Sequence, residues 1–277
     1  MIGLLVLAVA PAVALFLFFY VRDKYRREPL GVMLVTFGLG AASLVPAAMT
    51  SLSLQKLTGW HSGTPNLLHA FLGAMLIVGV VEEGAKFIFV RFYAFHRPEF
   101  DEPYDGIMYS VMAALGFATL ENIIYVFSNG AGAGVMRALL SVPSHAFDGV
   151  LMGYFLGEAK FARSDRVGNW LSALGLGLAV TAHGLYDFIV FSLDKAPLMI
   201  LSLLAMVVLF WVIFFKATRK LSEQSPYKHP TLTEFHRDSA EAAKNTARVG
   251  RATPKSEGRM TNQARRPNSR SRNRPGA

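Results

Sequence analysis

The 277-residue chain contains no cysteine. That absence excludes disulfides, thiol nucleophiles and thiolate metal sites, and leaves carboxylate, imidazole and hydroxyl groups to carry any chemistry. Charge is scarce as well: only 13 of the 28 Lys and Arg and 14 of the 19 Asp and Glu precede Lys216, so the formal +9 belongs to the C-terminal segment. With 52% apolar residues and a mean hydropathy of +0.35, the chain is too greasy for an ordinary soluble domain. No repeat relates its two halves. The glycine-rich stretch Asn129 to Gly134 follows no strand, and reads as a loop and not as a phosphate cradle.

What fills the sequence instead is a series of apolar runs at roughly 2–20, 31–55, 67–90, 105–127, 136–157, 169–192 and 197–215. Each is long enough to cross a hydrocarbon core of about 30 Å. The expected fold is therefore all-α, a polytopic transmembrane helix bundle of about seven spans. Alternate linkers carry Arg22, Lys24, Arg26 and Arg27, then Arg91 and Arg97, then Lys160, Arg163 and Arg166, against only Lys56, Arg137 and Lys195 in the others. The positive-inside rule then predicts the N-terminus outside and the C-terminus inside. No basic residue precedes the first run and a basic cluster follows it, which reads as a retained anchor and not a cleaved signal.

The domain organisation expected is a transmembrane domain, 1–215, and a basic, largely disordered cytoplasmic tail, 216–277, with 15 Lys or Arg against 5 Asp or Glu. Such a tail beside a membrane is expected to rest on anionic lipid headgroups, at about 1 kcal/mol per basic residue near the surface. Nucleic acid is the less favoured partner.

Against the apolar background stand Glu82-Glu83-x-x-Lys86, Glu121, His145 and His183-x-x-x-Asp187. A charged group at the bilayer centre costs about 3 kcal/mol even on the lenient insertion scale, so packing alone is a poor reason to keep several. Lys86 is four residues after Glu82 and three after Glu83, and can neutralise either within the helix. The plain alternative is that it does only that. Two carboxylates with one ammonium nevertheless leave net negative charge, and a carboxylate so placed suits a general base for water. Asn122 beside Glu121 can be an interhelical polar contact. His183 and Asp187 share a helix face at a spacing where the carboxylate orients the imidazole, whereas Asp148, three residues after His145, is either a second such pair or a snorkelling side chain. At 1.5 Å per residue, Glu121, His145, His183 and Asp187 lie roughly 9 to 15 Å below the outer boundary of their spans.

In order along the chain, Glu82-Glu83-x-x-Lys86, Asp105-Gly-Ile-Met-Tyr109 running into Gly116-Phe-x-x-x-Glu-Asn122, His145-x-x-x-Gly149 and His183-Gly-Leu-Tyr-Asp187 resemble the four motifs of the PrsW family of bacterial intramembrane proteases, over about residues 1 to 215. The resemblance, shared more distantly with CAAX-processing and bacteriocin-immunity-type membrane proteases, implies a multi-pass enzyme of the bacterial cytoplasmic membrane. It would cut a single-span, membrane-anchored substrate, typically an anti-sigma factor, near the extracytoplasmic side. By motif position, Glu82 and Glu83 would supply the base, Glu121 would assist, and His145 and His183 would orient water or stabilise the oxyanion, with Asp187 behind His183. Imidazole or the Asn122 amide would donate to the oxyanion.

The cofactor is none or zinc: His145, His183, Glu83 and Glu121 would form the metal set, while the absence of H-E-x-x-H and the presence of Lys86 beside the paired glutamates lean slightly to a metal-free glutamate mechanism. Two other readings share these residues. One is a proton- or cation-coupled transporter, since intramembrane Glu, His and Asp also build proton relays; the other is a catalytically inactive receptor or immunity protein on the same fold.

Overall fold

The structure, a computed structural model, describes residues 1–63 and 66–228; the expected disorder of the tail from 229 onward lies outside them. The described residues form helices without strands: α1 (Ile2–Arg22), α2 (Leu30–Thr58), α3 (Leu67–Gly73) running through a π-helical turn (Ala74–Gly79) into α4 (Val80–Phe92), α5 (Pro103–Leu139), α6 (Ser141–Lys160), α7 (Asp165–Ser192) and α8 (Met199–Glu223). Six helical stretches are long and apolar enough to cross a membrane, and the longest of them, 103–160, holds both α5 and α6.

α5 is the axis of the bundle. Every residue from Pro103 to Thr119 is buried, as expected of a segment apolar around its whole circumference. Small residues let the neighbouring backbones approach it: a Cβ on Gly106 would fall 2.4 Å from the Gly153 carbonyl oxygen, and one on Gly116 would fall 1.9 Å from that of Phe37. Such glycine contacts are how helices pack closely where the solvent is as apolar as the side chains. Gly106 meets Gly153 and Gly157 while Gly149 meets Ser110 and Val111, so α5 and α6 run antiparallel.

The stretch from Asn129 to Gly134, expected as a loop, is helical on both sides of a kink at Gly130, whose φ of +82° only glycine adopts freely. The reason is tertiary: Gly134 lies against Leu7 of α1, which holds the second leg of α5 in place.

At the end of the bundle where α1 stops and α5 starts, buried polar groups tie the linkers together. Asp23 accepts the Glu28 N–H at 3.0 Å, Asp105 accepts the N–H groups of Asp101 and Glu102 at 2.8 Å each, and the Tyr109 hydroxyl donates to Glu28. α8 runs past the composition change at residue 215 to Glu223, and the Ser225 hydroxyl beyond it donates to Glu102. Burial pushes the Asp23 carboxyl up to about 7, and burial together with the neighbouring Asp105 carboxylate pushes Glu28 up to about 10.

Both are therefore protonated in the fold and ionised in the unfolded chain over a window that opens near an ordinary carboxylate pKa of about 4. There the folded state binds more protons, so stability falls with rising pH. The melting temperature of the solubilised protein should decline from about pH 4 to about 7, with a shallower decline toward about 10 from Glu28. Asp23→Asn, which can still accept the Glu28 N–H, should flatten the first part. A variant profile identical to wild type would contradict this account.

Candidate functional site

The site forms where α4, α5, α6 and α7 meet. Immediately before Glu82 and Glu83, the π-helical turn inserts extra backbone into the helix, a device common at functional sites because it re-aims the residues that follow. It is locked to α7 by close approach, for a Cβ on Gly79 would fall 2.9 Å from the Val180 carbonyl oxygen and one on Gly184 3.0 Å from Met75 Cα.

Glu83 and Lys86 are fully buried and paired, Nζ to Oε1 at 2.6 Å. Lys86 also lies 3.1 Å from His145 Nδ1 and 4.2 Å from the Phe117 ring centre, which shelters the ammonium. An ammonium only donates, so His145 accepts at Nδ1 and its Nε2 carries the proton that it shares with Glu121 Oε2, 2.9 Å away. His183 is surrounded by carboxylates: Nδ1 lies 2.8 Å from Glu83 and 3.3 Å from Asp148, and Nε2 lies 3.6 Å from Glu82 and 3.5 Å from Asp187. The two imidazole rings are 5.1 Å apart.

The structure brings Glu82, Glu83, Lys86, Glu121, His145, His183 and Asp187 into one connected group. Asn122 stands behind it. Its amide nitrogen donates to the Ala8 carbonyl at 2.8 Å and its oxygen accepts from Arg137 at 3.1 Å, so the amide points at α1 and not at the reacting region. Two residues join that were not among the expected site residues, one counted elsewhere and one left between two readings. Arg137, counted only as a linker charge, pairs with Glu121 at 2.7 Å, and nothing in its local sequence announces it. Asp148, fully buried, sits beside His183; its spacing of three from His145 was the signal.

Five carboxylates, of Glu82, Glu83, Glu121, Asp148 and Asp187, thus face two permanent cations, Lys86 and Arg137. A bound cation would offset that excess of carboxylates. Glu83, His145, Asp148 and His183 each offer one donor atom within 4.8 Å of the others, and all four are buried. Neither Asp148 oxygen nor Oε2 of Glu83 has a hydrogen-bond partner. Two imidazoles and two carboxylates with free lone pairs fit a zinc-like dication, which would compete with Lys86 for Glu83 and His145. Glu121, named in the expected metal set, lies outside this donor group, held by Arg137 and by the other nitrogen of His145.

A small cavity of about 30 Å³ touches Glu82, Glu121, His145, His183 and Asp187, enough for one water. Oε2 of Glu82 has no hydrogen-bond partner. Glu82, Glu121 and Asp187 also line a second cavity of about 380 Å³ that reaches Gln55, Trp60 and Ser62 at the α2–α3 end.

A family described as PrsW family intramembrane metalloprotease matches residues 28–215. Among similar proteins, Protease PrsW of Geobacillus kaustophilus is 38% identical over 234 residues, 83% of this chain and 96% of the relative. That of Halalkalibacterium halodurans is 40% identical over 224 residues, 81% and 99%, and that of Bacillus subtilis 35% identical over 222 residues, 80% and 97%. No solved structure matches.

If the four-donor group holds a metal, Asp148→Asn should lower the metal content of the purified protein at least about tenfold, the usual scale for a weakened ligand set. Asp165→Asn, at the exposed start of α7 and outside the group, should change it little. Elemental analysis of detergent-purified protein measures both, and equal metal in all three proteins would remove Asp148 from the ligand set.

Proposed function

The chain belongs to the PrsW family of intramembrane metalloproteases, and on that footing we propose that it hydrolyses a peptide bond of a single-span, membrane-anchored, anti-sigma-factor-like substrate near the extracytoplasmic side, with Glu82 activating the water. It is a multi-pass membrane protein and an intramembrane peptidase. The reading as an ion-coupled transporter falls with that membership. Relatives from bacteria support the bacterial cytoplasmic membrane as its place.

The observation that carries the mechanism is Glu82, whose Oε2 has no hydrogen-bond partner and whose side chain lines a cavity the size of one water. Glu83 is engaged by Lys86 and His183, so of the adjacent pair Glu82 is the one free to act as base. A water in the cavity transfers its proton to Glu82 while its oxygen attacks the scissile carbonyl carbon, and the carbonyl electrons move to the oxygen. Arg137 lines the same cavity and His183 faces it, so both can oppose the developing oxyanion, an effect worth about 3 kcal/mol per donor in comparable sites. Glu82 then returns the proton to the leaving nitrogen as the carbon–nitrogen bond breaks. Glu121 holds His145 in the tautomer that leaves Nδ1 as an acceptor. A metal bound by Glu83, His145, Asp148 and His183 would add Lewis-acid polarisation of the reacting oxygen.

Reading α5 and α6 as separate crossings, we propose seven spans with the N-terminus outside, and a basic C-terminal segment resting on anionic headgroups.

Glu82→Gln should slow cleavage of a co-expressed single-span substrate by about 10²- to 10⁴-fold while the protein remains folded and inserted; wild-type cleavage by that variant would sink the assignment of the base. No cleavage of any membrane protein by the wild type would favour the inactive receptor. The absence of native cysteine gives a direct topology test. Lys195→Cys should react with an impermeant maleimide from outside, and Arg163→Cys only after permeabilisation; the reverse pattern would invert the orientation.

A further inference from the structure

At the end of the bundle away from the hydrolytic site, a cavity of about 350 Å³ lies between the last turn of α1, the start of α5 and the last turns of α8. Its size is within the range of small-molecule sites. Among its lining side chains are Arg22, Lys24, Tyr104, Arg219 and Ser222.

We propose that this cavity binds a phosphate group, carried by the headgroup of an anionic phospholipid or by a soluble phosphate. The Arg22 guanidinium is held over three aromatic rings, 5.1 Å from Phe18, 5.7 Å from Phe214 and 5.0 Å from Phe215. Among the described residues, neither it nor Lys24 makes an ion pair. The aromatic clamp fixes a fork of donors without neutralising them, and a planar guanidinium suits bidentate contact with phosphate oxygens.

The second observation is independent of charge. Tyr104 is 2% exposed and its hydroxyl has no hydrogen-bond partner. A buried hydroxyl left without a partner is costly, and an anionic oxygen in the cavity would accept from it. Lys24 on the α1–α2 linker completes the donor set, and the acid on the rim, Glu223, pairs with Arg219 at 2.8 Å. The buried carboxyls of Asp23 and Glu102 stand behind Tyr104, and Asp23, pushed up to about 7 by burial, adds little negative charge below that pH. The cavity sits where α1 and α8 leave their apolar stretches, the level of a headgroup. It is separate from the hydrolytic centre, so its fate does not depend on the protease reading.

The test uses the full-length protein purified in mild detergent. Native mass spectrometry follows its retention of phosphatidylglycerol offered in phosphatidylcholine mixed micelles, and a thermal-shift series with inorganic phosphate runs in parallel. Wild type should retain one phosphatidylglycerol per chain over phosphatidylcholine, or be stabilised by inorganic phosphate; the first outcome identifies a lipid headgroup as the source, the second a soluble phosphate. Lys24→Gln and Arg22→Gln should each weaken the effect about fivefold. Tyr104→Phe, which removes only a hydroxyl without a partner and so spares the fold, should weaken it by a similar factor. Binding of neither probe, or binding unchanged in all three variants, would overturn the proposal.

Discussion

The buried pair of Glu83 and Lys86 is the constraint on which the rest of the site depends. Both side chains are out of solvent and 2.6 Å apart on one helix turn, and each also reaches another helix, Glu83 to His183 on α7 and Lys86 to His145 on α6. A charge buried alone would cost several kcal/mol, and removing one member of such a pair commonly destabilises by about 3 to 5 kcal/mol. Three helices are thereby held in register by one interaction that none of them could satisfy alone. The pair's neighbour, Glu82, keeps an oxygen without a hydrogen-bond partner, 3.6 Å from His183 Nε2.

The bundle delivers that register through small residues. Gly106, Gly153 and Gly157 bring α5 and α6 into backbone contact, Gly40 and Gly116 bring α2 onto α5, and Gly79 and Gly184 bring the π-helical turn onto α7. In lipid there is no hydrophobic gain to drive helices together, so close approach and polar contacts must do it. The glycines fix how near the helices come, and the carboxylates and imidazoles fix their rotation. A larger side chain at Gly79 would push against the α7 backbone and displace the turn that aims Glu82 and Glu83.

How much of this could be read from sequence depended on whether a residue's cost was local. The helices were legible because an apolar run of about 20 residues has few other fates in a membrane protein. Glu82, Glu83, Glu121, His145, His183 and Asp187 were legible because each is expensive where it lies in the chain. Arg137 was not, since in sequence it is one more basic residue near a glycine-rich turn, and only the kink at Gly130, which turns the second leg of α5 aside, sets it on Glu121. Asp148 stayed ambiguous because a spacing of three from His145 is as natural for a snorkelling side chain as for a ligand. The direction of the Asn122 amide was illegible for the same reason: its partner, the Ala8 carbonyl, is 114 residues away. The extension of α8 beyond Phe215 was hidden by composition, since Lys216, Arg219 and Lys220 look like tail while the adjacent Thr218 and Leu221 are buried.

The two ends of the bundle differ in a way that bears on how water reaches the centre. At the end where α5 begins, Asp23, Glu28, Glu102, Asp105 and Tyr109 are buried and linked to one another, and they close the interior. Asp105 and Glu121 are 16 residues apart on α5, about 24 Å at 1.5 Å per residue, so the carboxylates around His145 and His183 stand far from that seal. At the other end, Glu82, Glu121 and Asp187 line both the water-sized cavity and the larger one that rises to Trp60 and Ser62. Hydrolysis consumes a water at each turnover, and in a bilayer that water needs a polar path. The larger cavity reaches the α2–α3 end, and Glu82 lines it while the deeper pair of Glu83 and Lys86 does not. The adjacent glutamates, identical in sequence terms, thus divide by their surroundings: Glu82 lines both cavities, whereas Glu83 is buried against Lys86 and His183.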